Sequence, residues 1–85
     1  MLTPMAKPSI SHAGKPELVA LGRAIRELRT EKGYSQESFA DDVGIDRSYI
    51  GGIERGEHNL ALVNLIKISK ALKMSASDLL RRSKI

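Results

Sequence analysis

"QESFADDVGIDRSYIGGIERG", residues Gln36 to Gly56, holds two short apolar-periodic segments with one glycine between them. Phe39 and Val43 supply a buried face to the first, and Ile50 and Ile53 share one face of the second, with Ile45 at the junction. Ser35 and Asp46 stand where each segment needs an N-terminal cap, and Glu37 suits the positive end of the first. Gly44 accepts the positive φ that a tight turn demands. Ala40 is small where two steeply crossed helices bring their backbones together. The pattern predicts a helix, a tight turn and a second helix.

The second segment contains a conflict. Gly51 and Gly52 are adjacent inside it, and each costs a helix interior about 1 kcal/mol relative to alanine. Ile50 and Ile53 bracket the pair and need helical spacing to reach one core. The expectation is a continuous helix with a thin middle, closed by Gly56; a frayed helix is the alternative.

Outward from this stretch the chain stays helical. Pro16 and Glu17 make a good first turn, and Leu18, Leu21, Ile25 and Leu28 recur on one face until Gly33 stops the helix. Asn59 is placed to cap a fourth helix running to about Leu72, with Leu62, Leu65, Ile68, Ser69 and Leu72 along one stripe. Ser75 and Asp78 have capping-box spacing and open a last short helix. No stretch alternates with a strand-like period of two. The fold class is all-α, five short helices, over residues 16–85; residues 1–15, with two prolines and a glycine, read as a flexible arm that includes His12.

Composition limits the function classes. With 85 residues and no cysteine, the chain has room for one core and has neither disulfides nor thiolate metal sites. Its apolar runs are too short to span a membrane, and prolines and a lysine interrupt the N-terminus where a signal peptide would be apolar, so a cytoplasmic location is expected. A net charge of +4 suits a polyanionic partner. The two histidines, His12 and His58, lie in an arm and a loop without metal spacing or a nucleophile–base motif, so neither an enzyme nor a cofactor or metal site is expected.

The stretches "LGRAIRELRTEKGYSQESFADDVGIDRSYIGGIERG" and "NLALVNLIKISKALKMSASDLL" resemble the Cro/XRE-type helix-turn-helix transcriptional regulators, which share the lambda-repressor-like fold. Within that family, "DRSYIGGIERGEHN" is most similar to the controller proteins of restriction–modification systems. The resemblance implies a sequence-specific regulator of double-stranded DNA, autoregulatory and dimeric. The alternatives are an antitoxin or phage-type repressor of the same fold, or a protein–protein adaptor. An adaptor would need exposed apolar anchors where this chain has Arg47, Ser48 and Tyr49.

In such motifs the third helix enters the major groove by its N-terminal turn. Arg47 is the first choice for a bidentate contact with guanine, against a phosphate contact or a solvated role. Ser48 either meets a base or phosphate or steadies the first turn, and Tyr49 either reaches DNA or packs half-buried. Gln36, with the backbone near Ser35, is implied in a phosphate contact at the start of the second helix. Arg55, His58 and Asn59 follow as loop contacts, with Asn59 also read as a cap. The controller pattern often has arginine where this chain has His58, which implies a weaker, more pH-sensitive contact. Gly52 would let backbone approach the groove or the facing helix, which concentrates base specificity at residues 47–49 and leaves DNA shape to act elsewhere. Arg29 and Glu54 are implied as a structural ion pair between the first and third helices. Leu60, Val63 and Ile66 lie beside the fourth helix's main stripe and are expected to form the two-fold interface; packing on the arm, or single exposure, is the alternative.

Overall fold

The computed structural model describes residues 12–85. Five helices follow in order: α1 Pro16–Glu31, α2 Gln36–Val43, α3 Arg47–Glu54, α4 Leu62–Ala71 and α5 Ala76–Ser83. There is no strand among the described residues. Most boundaries follow local chemistry. Ser35 Oγ accepts from Ser38 N while Ser38 Oγ accepts from Ser35 N, a reciprocal box at the start of α2. Asp46 caps α3 and Ser75 caps α5 through the amides of Ser48 and Asp78. Each such cap contributes about 1 kcal/mol. Gly44, at φ 85°, ends α2 in the left-handed conformation and turns the chain into α3.

The core is aliphatic around Phe39, with Ile25, Ile50, Ile68, Leu72 and Leu79 shut away from solvent. It lies between α1 and the other helices, and α1 packs on both α3 and α5. At Gly22 the two backbones of α1 and α3 nearly touch. A Cβ there would lie 2.6 Å from the Glu54 carbonyl oxygen. The close contact lets α1 serve as the platform on which the C-terminal half of α3 rests.

Four expectations change. Asn59 does not cap α4, which starts three residues later with Ala61 at its N-cap and no side-chain cap. The chain between α3 and α4 stays extended long enough to lay Leu60 against the core, so Leu60 is partly buried rather than part of an exposed face. Leu62 moves the other way: it sits in the first turn of α4, beyond the reach of the core, and is 66% exposed beside Val63 and Ile66. Of the expected arm, residues 1–11 lie outside the described residues. His12–Lys15 form a turn whose Gly14 amide donates to the Gly56 carbonyl at 2.8 Å, so this end is tied to the loop after α3.

Candidate nucleic-acid interface

A chain of polar contacts runs from the interior to the surface beside α2 and α3. Arg29 donates to both Glu54 oxygens, Nε to Oε2 at 2.6 Å and Nη2 to Oε1 at 3.1 Å. Both side chains are almost fully buried, at 9% and 3% exposure. Arg29 Nη1 also donates to the Tyr34 carbonyl at 2.8 Å, in the turn before α2. Gln36 Nε2 donates to Glu54 Oε1 at 3.0 Å, and Arg47 Nη1 reaches Gln36 Oε1 at 3.5 Å. A buried pair is stable only when its remaining valences are met, and here the turn carbonyl and Gln36 meet them. The result fixes α1, α2 and α3 to one another and leaves the exposed Arg47 at its outer end.

The first turn of α3 is also ordered from below. Asp46 accepts from the Ser48 amide at 3.0 Å and from the Ser48 hydroxyl. These bonds, with the hydroxyl contact foremost, hold the Asp46 carboxyl below its usual range. Ser48 therefore steadies the turn. Tyr49 is half-buried, its ring tilted at 58° to that of His58 with centroids 4.6 Å apart, and its hydroxyl accepts from Asn64 Nδ2 of α4 at 3.5 Å.

The adjacent glycines do not do the same thing. A Cβ on Gly51 would meet Arg55 Nη1 at 3.2 Å and Gln36 beyond that, all ends of flexible side chains. A Cβ on Gly52 would collide with the His58 ring, lying 2.7 Å from its Cδ2 and closer still to Nε2. The α3 helix runs unbroken through both. The close approach at Gly52 is by the chain's own imidazole. That corrects the expectation of Gly52 backbone against a groove: its face is covered.

His58 is corrected with it. The residue is only 6% exposed, and its Nε2 is buried without a hydrogen-bond partner among the described residues. Burial pushes its pKa down, opposed by the nearby Glu57 carboxylate and aided by the Arg55 charge. A neutral, enclosed imidazole is not a loop side chain offered to phosphate. Arg55 is exposed and paired with Glu57, Nε to Oε2 at 2.8 Å, so its charge is partly met before any anion arrives. Asn59 is exposed in the same loop.

The structure thus brings Gln36 and Arg47 together beside the Ser35 cap, keeps Ser48 in the same first turn of α3, turns Tyr49 toward His58 and Asn64, and leaves Arg55 and Asn59 exposed in the loop that follows. Sequence reasoning missed three contributors: Glu57, Gln36 as a partner of Glu54, and Asn64 beneath Tyr49. Only Glu57 had a local signal, an acid two residues from an arginine in a turn. Among the described residues no group of three His, Cys, Asp or Glu side chains is placed to hold a metal ion, and no helix is long and apolar enough to cross a membrane.

A helix-turn-helix family model matches residues 25–79. The chain belongs to the Cro/XRE-type helix-turn-helix family of transcriptional regulators. It is 45% identical over 62 residues to the control protein C.MunI of Mycoplasma sp, covering 72% of this chain and 84% of that one. The crystal structure of the restriction–modification controller protein C.AhdI from Aeromonas hydrophila superposes with a TM-score of 0.72 at 51% identity, over 74% of this chain and 96% of that chain. The regulator SinR, known from Bacillus subtilis and solved in complex with DNA, superposes with a TM-score of 0.67 at 38% identity, over 71% of this chain and 97% of that chain. The family is one of regulators rather than enzymes.

Proposed function

We propose that this chain is a sequence-specific regulator of double-stranded DNA that acts as a homodimer on its own promoter, in the manner of the restriction–modification control proteins it resembles. One observation carries the reading: the polar chain from Arg29 through Glu54 and Gln36 ends at Arg47, on the exposed first turn of the helix that such motifs place in the major groove. Arg47 reads a guanine edge, and Tyr49 lays its exposed edge on sugar or thymine methyl. The α2 N-terminus with Gln36 receives a backbone phosphate, as do Arg55 and Asn59 at the margin. The function needs no cofactor and places the protein in the cytoplasm with its DNA.

One domain of this size covers few base pairs, and two half-sites about 34 Å apart supply the rest. Val63 at 63% exposure, Leu62 and Ile66 form a contiguous apolar patch on α4. Water disfavours such a patch in a lone protomer, and we assign the two-fold contact to it, with Leu62 in place of the partly buried Leu60.

Fluorescence anisotropy tests the reading, with duplex from upstream of the chain's own gene against a scrambled duplex, at several salt concentrations. Binding is expected to weaken with salt and to favour the native duplex. Arg47→Ala is expected to remove about 1–3 kcal/mol of that preference. Equal, weak binding to both duplexes would instead favour a protein partner for this face.

A further inference from the structure

We infer that His58 is a positioning residue for Tyr49: seated in the notch that Gly52 leaves in α3, its ring holds the Tyr49 ring at the edge of the DNA-reading face. The inference rests on the DNA-binding reading of that face and adds a residue that acts behind it.

Three observations meet at this point. His58 stacks obliquely on Tyr49, with ring centroids 4.6 Å apart. Its other flank fills the space a Cβ at position 52 would need, so the seat exists only because residue 52 is glycine. Its Nε2 is buried with no hydrogen-bond partner among the described residues, so no hydrogen bond at that nitrogen explains why a histidine is drawn inward from a loop of charged neighbours. Leaving a buried nitrogen unsatisfied is unfavourable. Shape and ring packing must offset it, and the surface they fit is Tyr49 together with the bare helix at Gly52.

The geometry of the α3 face follows. Tyr49 is clamped between the His58 ring and Asn64 of α4, which donates to its hydroxyl at 3.5 Å. An aromatic side chain that stays fixed before binding presents its edge at little cost in lost rotamer freedom. The groups that face the imidazole are Glu57 and Arg55 from its own loop, and the Tyr49 ring and Gly52 from α3. Proton uptake would place a cation against the bare helix, and burial opposes it. Acid should therefore expel the ring, and its effect on Tyr49 should mimic removal of the side chain.

The experiment is a double-mutant cycle on the full chain: wild type, Gly52→Ala, His58→Ala and the double variant. The probes are the NMR shifts of the Tyr49 ring in the free protein and the ratio of affinities for two duplexes. One duplex is selected by the wild type from a random pool, and the other is its scrambled version. His58→Ala should move the Tyr49 ring shifts and lower the ratio about tenfold, within the range of couplings between touching side chains. Gly52→Ala should do the same, because the methyl evicts the imidazole. In the His58→Ala background, Gly52→Ala should add little to either effect. A pH titration from 7 to 5 should move the Tyr49 ring shifts in the wild type and leave those of His58→Ala flat.

An equal loss of duplex preference on adding the methyl in both backgrounds would overturn the inference, since Gly52 would then answer to DNA rather than to His58. Unchanged Tyr49 shifts and an unchanged ratio in a folded His58→Ala variant would overturn it as well. A wild type that prefers no duplex would defeat the DNA-binding reading instead, and the ring shifts would still decide whether His58 holds Tyr49.

Discussion

The two halves of α3 are built for opposite purposes. Its first turn, Arg47 to Tyr49, is exposed or half-buried, polar, and full of side chains. Its second half, Ile50 to Glu54, is buried, and its two glycines present bare backbone to the chain's own residues. A helix this short cannot hold itself in water. The buried half is therefore the grip, and the exposed half is the instrument of the proposed reading. The contrast separates stability from recognition along a single element: changes in the second half should act mainly on folding, save at Gly52, which reaches Tyr49 through His58, and changes in the first mainly on discrimination.

The sharpest way to break that division is to cut the buried pair. Glu54→Ala leaves Arg29 charged and enclosed, and should cost about 3–5 kcal/mol of stability in urea unfolding. A loss below about 1 kcal/mol would place the grip elsewhere. A smaller blow falls on the same half from below. Gly22→Ala puts a methyl against the backbone carbonyls of Ile53 and Glu54 and should destabilise the fold by about 1–3 kcal/mol, read from thermal unfolding. The smallest effect has the opposite sign. Gly51→Ala meets only the mobile tips of Arg55 and Gln36 and restores helix propensity, so it should stabilise by up to about 1 kcal/mol. If Gly51→Ala instead destabilised the free protein, the two adjacent glycines would share one role, and the distinction drawn between them would fail.

The sequence was most legible where one residue's own chemistry settles its neighbourhood. Pro16, Ser35, Gly44, Asp46 and Ser75 each mark a helix end by capping, by φ or by a missing amide, and the structure puts the ends there. The unbroken α3 was legible from Ile50 and Ile53 alone, because both had to reach the same core. Asn59 misled because a good capping residue is equally at home in a loop, and the core's claim on Leu60 decided where α4 could begin. Leu62 misled for a related reason: periodicity assigns a residue to a face of the helix but does not say whether the core extends as far as its end.

The candidate site divides in the same way. The Arg29–Glu54 pair came from the family resemblance and is present as a two-bond contact. The third partner, Gln36, followed from no pattern, since an exposed polar residue at a helix start looks the same whether it faces solvent or a buried carboxylate. His58 was hidden more deeply. In "ERGEHN" every neighbour is polar, glycine or charged, and nothing local says that the imidazole turns inward. Its reason lies six residues earlier, in an absent side chain at Gly52. Absences on one element that make room for residues on another are the kind of fact a linear reading loses.

The glycine pair has one more consequence. With eight residues and two glycines, α3 owes its helical state to the surrounding core rather than to its own sequence, so it has little means of surviving once that core opens. The amides of its buried half should then exchange with solvent only through opening of the whole fold. On the proposed reading, recognition and cooperativity become one property: the helix assigned to the groove is lost only when everything else is.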